Sequence, residues 1–152
     1  MDQPTSIEMT IKGQAEDVKR AALAAQRRID IETKGFKESA YEYGDGSDFK
    51  TKMDDVVDVL GDYEYTENSD GTAVFSTEQE SYGCIEERNI KEIADDIVKT
   101  SPNVEAHISA VITITYEEGY DLCVEADYVD GKLSVESSEE YYEWDDEDDD
   151  ED

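Results

Sequence analysis

Basic residues are scarce in this chain of 152: Lys and Arg number 13 against 43 Asp and Glu, a formal net charge of −30 at pH 7. That balance argues against direct binding to nucleic acid, and an anionic membrane surface would repel the chain. No apolar run approaches the ~20 residues needed to cross a bilayer. Met1 to Thr10 has neither a basic n-region nor an apolar h-region, so it does not read as a signal peptide. Cysteine is nearly absent as well. Cys84 and Cys123 stand far apart and read as two reduced, partly buried thiols of a cytosolic protein, with a disulfide between them left open.

Catalytic vocabulary is also thin. The single histidine, His107, lies in an alternating segment with Glu105 and Ser109 on its face. No nucleophile elbow supports a triad there, so His107 reads as an ordinary strand histidine. Gly44-Asp45-Gly46 lacks the lysine of a phosphate-binding loop, and no cysteine pair has metal-binding spacing. A calcium loop aligned on Gly71 would put Thr66, Asn68 and Asp70 at the first ligand positions and Thr77 where a bidentate Glu is required, so both ends fail. With so many carboxylates, accidental pairs are certain and are no evidence of acid–base work. The expectation is a non-enzymatic protein without cofactor or metal.

The acid is unevenly placed. Residues 1–52 carry a net charge of −1 and residues 53–152 a net charge of −29. Halophilic adaptation predicts an even spread and few lysines, whereas this chain has 9 lysines to 4 arginines. The end of the chain is extreme: Glu139-Glu140-Tyr141-Tyr142-Glu143-Trp144 leads into Asp145 to Asp152, all acidic. Such a block repels itself and is expected to be a disordered tail over 145–152. Residues 1–144 read as a single domain, with a subdivision open near 61–88. The aromatics before the tail are expected to pack on the protein's own sheet.

Ile7, Met9 and Ile11 alternate with polar neighbours, which predicts a half-buried strand ended by Gly13. Val18, Ala22, Ala25 and Ile29 follow helical spacing over Ala15 to Asp30, leaving Arg20, Arg27 and Arg28 solvated. Ile31 to Tyr43 reads as a strand. Ser47 or Asp48 caps a second helix with a stripe of Phe49, Met53, Val56, Val57 and Leu60, closed by Gly61. Tyr63 and Tyr65 alternate, Asn68-Ser69-Asp70-Gly71 turns, and Thr72 to Thr77 returns. A third helix fits Glu87 to Thr100, closed by Pro102. Val104 to Tyr116, Leu122 to Tyr128 and Leu133 to Val135 then keep strict parity and read as a three-stranded antiparallel meander. The fold class is α+β: an antiparallel sheet with about three helices on one face.

Within Asn89 to Leu133, the turns Ser101-Pro102-Asn103-Val104, Glu118-Gly119-Tyr120-Asp121 and Asp130-Gly131-Lys132-Leu133 resemble the end of a ferredoxin-like domain family common in phages and plasmids. That resemblance implies an origin in a mobile element. Small size, missing catalytic motifs and stretches such as Asp54-Asp55, Glu117-Glu118 and Glu139-Glu140 resemble the acidic inhibitors that mobile elements direct against bacterial defence, the anti-CRISPR and anti-restriction proteins.

Thirty charges equal the phosphates of about 15 base pairs of duplex. Outward residues i and i+2 of a strand stand ~6.8 Å apart, and i and i+4 of a helix about 5–6 Å, both close to phosphate spacing. The expected function is therefore a DNA mimic that occupies the basic groove of a CRISPR effector nuclease in a bacterial host cell and blocks target recognition. A restriction enzyme or another DNA-binding protein as target, a chaperone for basic proteins, and a halophilic adaptor domain are the alternatives. The acids expected to point outward include Asp95 on the third helix, and the expected contact residues begin with Asp54, Asp55 and Asp58 of the second helix. In the C-terminal sheet they are Glu117, Glu118, Asp121, Glu125 and Asp127, followed by Glu139 and Glu140.

Overall fold

Alternating apolar and polar residues build six strands of one antiparallel sheet, and two long amphipathic helices cover one of its faces. The computed structural model describes residues 4–33, 37–44, 48–57, 61–81, 85–114 and 119–141. In chain order the elements are β1 (Thr5–Gln14), α1 (Ala15–Thr33), a 3-10 turn (Glu38–Tyr41), α2 (Phe49–Val56), β2 (Gly61–Glu67) and β3 (Thr72–Ser81). There follow α3 (Glu87–Thr100), β4 (Glu105–Ile114), β5 (Tyr120–Val129) and β6 (Lys132–Tyr141). The strand order is β2-β3-β1-β4-β5-β6, every pair antiparallel. Through β4 this is the order of a β-α-β-β-α-β unit. The meander β4-β5-β6 then extends the sheet on one side, as the parity of the last third predicts.

The core lies between the sheet and the helices. Ile7, Met9 and Ile11 of β1 are buried, as are Phe75 of β3, Ile108 and Ile112 of β4, and Val124 of β5. Val18, Ala22, Ala25 and Ile29 of α1 and Ile90, Ile93, Ala94 and Ile97 of α3 face them. Small alanines on α1 let it lie close to α3, and the Arg28–Asp96 pair (2.9 Å) links the two helices. A capping box starts α3: the Glu86 side chain accepts from the Asn89 backbone, while Asn89 Oδ1 accepts from the Glu86 N–H at 2.7 Å. Asp48 caps α2, accepting from the N–H groups of Lys50 and Thr51. Asp130 and Gly131, both at positive φ (53° and 78°), make the two-residue turn of the β5–β6 hairpin.

Several expectations are corrected. β1 runs through Gly13 to Gln14, because both residues still pair with β3. The strand expected over Ile31 to Tyr43 is not formed: α1 continues to Thr33, and a 3-10 turn follows. Two polar contacts fold that turn back onto α1. The Tyr41 hydroxyl donates to the buried Asp30 carboxylate, and Arg27 donates two hydrogen bonds to Glu38, at 2.6 and 3.0 Å. Arg27 and Arg28 are accordingly half-buried and paired rather than solvated. α2 stops at Val56, with Val57 extended, so Gly61 does not terminate it. Gly61 opens β2 instead, where a Cβ would fall 2.7 Å from Cγ of Gln79. β3 continues four residues past Thr77 to Ser81, its register with β1 intact. Cys123 is a free thiol, and Cys84 lies outside the described residues.

Candidate functional site

The two faces of the sheet carry different charge. Ion pairs on the helix-bearing side join Lys19 to Glu16 and Glu67, Arg20 to Asp17, Arg27 to Glu38 and Arg28 to Asp96. The opposite face is covered by no described element. Across all six strands, lysine and arginine occur only at Lys12 and Lys132. Both lie at one end of that face, where Lys12 stands opposite Glu105 and Lys132 opposite Val129.

Register aligns the acids of this open face into rows. Asp62 stands opposite Glu78, Glu78 opposite Glu8, Glu8 opposite Ser109, Ser109 opposite Glu125, and Glu125 opposite Glu136. One line thus crosses all six strands and holds five carboxylates. Adjacent strands are ~4.8 Å apart, so neighbouring carboxylates in the line repel. Further along the strands, Glu64 and Glu80 join the β2-β3-β1 side, and Asp121, Asp127 and Glu140 join the β5-β6 side. Asp121 faces Glu140 directly. Two acidic ridges result, with β4 between them contributing Ser109, Val111 and Thr113.

The expected contact residues divide between surfaces. Asp121, Glu125, Asp127 and Glu140 share the open face, as strand parity requires. Asp54 and Asp55 are exposed on α2, on the helix-bearing side, and Asp95 is half-buried on α3. Asp54 accepts a hydrogen bond from the Tyr63 hydroxyl at 2.6 Å. Burial first, and that bond second, push the Tyr63 phenol well above its ordinary range. Glu139 has the opposite parity from Glu140 and accepts from the Tyr141 hydroxyl at 2.6 Å. Tyr141 packs against Tyr120 with ring centroids 5.1 Å apart, although it stays 61% exposed. Asp58, Glu117, Glu118, Tyr142, Trp144 and the run Asp145 to Asp152 lie outside the described residues.

Sequence reasoning missed Glu8, Asp62, Glu64, Glu78, Glu80 and Glu136. Of these, Glu8 lies between Ile7 and Met9 and Glu64 between Tyr63 and Tyr65, an alternation visible in the sequence, whereas Glu78 and Glu80 have polar neighbours on both sides and carry no such signal. Their convergence depends on strand order, which local periodicity does not contain.

Among the described residues, His107, Glu125 and Asp127 form a group whose ligand atoms lie within 4.8 Å of one another, a spacing that admits a metal ion. All three open to water, and Nδ1 of His107 is 2.6 Å from Oδ1 of Asp127. Cys123 lies on the same face between Asp121 and Glu125. Partial burial, then the neighbouring carboxylates, raise its thiol pKa, which disfavours the reactive thiolate.

No family model matches the chain, and no curated protein matches it. Among solved structures it is similar to a crystal structure of aldoxime dehydratase at 14% identity and a TM-score of 0.28, covering 81% of this chain and 31% of that one. The chain therefore spans less than a third of that protein's length, and a similarity of this size carries no argument about activity.

Proposed function

We propose that this protein is a DNA-mimicking inhibitor that occupies the basic groove of a duplex-DNA-binding protein, with an RNA-guided nuclease as its first candidate target. The observation that carries this reading is the open sheet face. Five carboxylates lie in one register line across six strands, on strands whose lysines are confined to one end. Like charges directly opposite each other destabilise a sheet. An array held together against that cost is what a basic groove would recognise in place of phosphates. Because the strands fix the carboxylates before binding, little ordering entropy opposes docking. RNA-guided nucleases read their flanking motif with arginines in the major groove, and an acidic face lodged there stops target recognition.

The test is competition for target duplex by a guide-loaded nuclease. The wild-type protein is expected to block duplex binding, and excess duplex is expected to relieve the block. Changing Glu8, Glu78 and Glu125 together to lysine should abolish the effect, whereas Asp54→Lys with Asp55→Lys on the helix side should leave it. The reverse pattern would overturn the sheet-face reading, and a wild-type chain that never disturbs duplex binding would overturn the nuclease as target.

A further inference from the structure

The arrangement of acids on the open face narrows the partner, an argument that rests on the decoy reading above. A decoy for single-stranded nucleic acid needs one charged track. Here there are two. Glu78, Glu80 and Glu8 belong to one ridge, and Glu125, Asp127 and Glu136 to the other. Between them β4 presents His107, Ser109, Val111 and Thr113, and its acid, Glu105, stands opposite Lys12. At ~4.8 Å per strand, β1 and β5 are roughly 10 Å apart and β3 and β5 roughly 14 Å. Those separations bracket the major groove of B-DNA, about 12 Å wide between its two phosphate backbones. The strip between the ridges also carries groove-like chemistry: hydroxyls that donate and accept, and a valine methyl pair where thymine would show its C5 methyl.

We infer that the β4 strip receives a recognition helix of a major-groove-reading partner, whose Lys and Arg flanks dock on the two ridges. An α-helix with its side chains is about 10–12 Å across, which matches the space between the ridges. The partner's chemistry is therefore a basic helix with cations on both sides and small polar residues along its leading edge. A single basic stripe engages only one ridge and does not use the strip.

Three probes test this: a basic-region leucine-zipper dimer, whose helices enter the major groove, an OB-fold single-strand-binding protein, and deca-arginine. The zipper is expected to bind the full chain more tightly than the OB-fold protein does, and duplex DNA is expected to displace it. Val111→Trp and, separately, Ser109→Trp raise a bulky ring in the strip while leaving every charge in place. Each should weaken zipper binding about tenfold or more and leave deca-arginine binding unchanged. Neutralising either ridge, as Glu8→Gln, Glu78→Gln and Glu80→Gln or as Glu125→Gln, Asp127→Asn and Glu136→Gln, should lower the salt slope of zipper binding by about 3. These exposed positions give a reading should a tryptophan variant fail to fold. Zipper binding that ignores the tryptophans, depends on one ridge only, or falls below that of the OB-fold protein overturns the groove inference and leaves the decoy reading standing. Failure of all three probes to bind overturns both.

Discussion

His107 and Asp127 face each other across β4 and β5, with Nδ1 and Oδ1 2.6 Å apart, on the open face of the sheet. Their side chains are 46% and 49% exposed, so water and salt screen the pair. Asp127→Asn is accordingly expected to change stability by less than about 1 kcal/mol. Urea unfolding of the two proteins checks this, and a much larger loss would mean that the pair holds the strands together.

Glu78 stands directly between Asp62 and Glu8. Removing the middle charge relieves two like-charge contacts at once. Glu78→Gln is expected to raise stability by roughly 0.2–1 kcal/mol. Moderate salt should stabilise the wild type more than the variant, because it screens the same repulsion. Urea midpoints at low and moderate salt provide the measurement.

The periodic helices and strands were legible because their signals are local. The stripe of α3 marked both of its ends, and the parity of Val104 to Val135 marked three strands. The turn over Glu38–Tyr41 was not legible, because its fold depends on Asp30 and Arg27 of α1 rather than on its own pattern. Similarly, half of the acidic face was visible in β5, where acids alternate with Val124 and Ala126. Asp62, Glu78 and Glu8 come from three separate stretches, and only the register brings them into line.

Asp30 is 1% exposed and accepts from Gln26 Nε2 at 3.0 Å and from the Tyr41 hydroxyl. A buried carboxylate that loses a donor is costly. Tyr41→Phe is expected to destabilise the fold by about 1–3 kcal/mol. Gln26 meets Gln79 of β3 in two reciprocal amide bonds of 3.1 and 2.6 Å, so the disturbance should extend from the turn into the sheet. Hydrogen exchange at β3 would show whether it does.

Four acids on the helix side and at turns have depressed pKa values. The Thr51 hydroxyl and amide lower Asp48, Arg27 lowers Glu38, Tyr65 and then Lys19 lower Glu67, and Thr72 lowers Asp70. A carboxyl held below its unfolded value contributes stability that is present above the unfolded pKa and lost as pH falls through the folded one. Acid should therefore loosen α2 and the β2–β3 turn below the ordinary carboxylate range. Circular dichroism and amide exchange followed downward in pH test this, and Asp48→Asn should flatten the response of α2.

The acidic run after Trp144 lies outside the described residues, and as a sequence it is a block of one sign. Its field acts at long range, while the sheet carboxylates act at contact. Ending the chain at Trp144 is expected to slow association with a basic partner several-fold and to leave dissociation nearly unchanged. Stopped-flow binding separates the two rates.

The position of β1 has a consequence for synthesis. Of the six strands this one is synthesised before the others, yet it lies in the middle of the sheet, bonded on one side to β3 and on the other to β4. Until β4 has emerged, β1 has at least one unpaired edge. A nascent chain that stops between β3 and β4 can make the β2–β3 hairpin but cannot close the sheet. Folding must therefore wait for most of the chain, and the long loops it closes make that folding slow relative to a helical protein of this length.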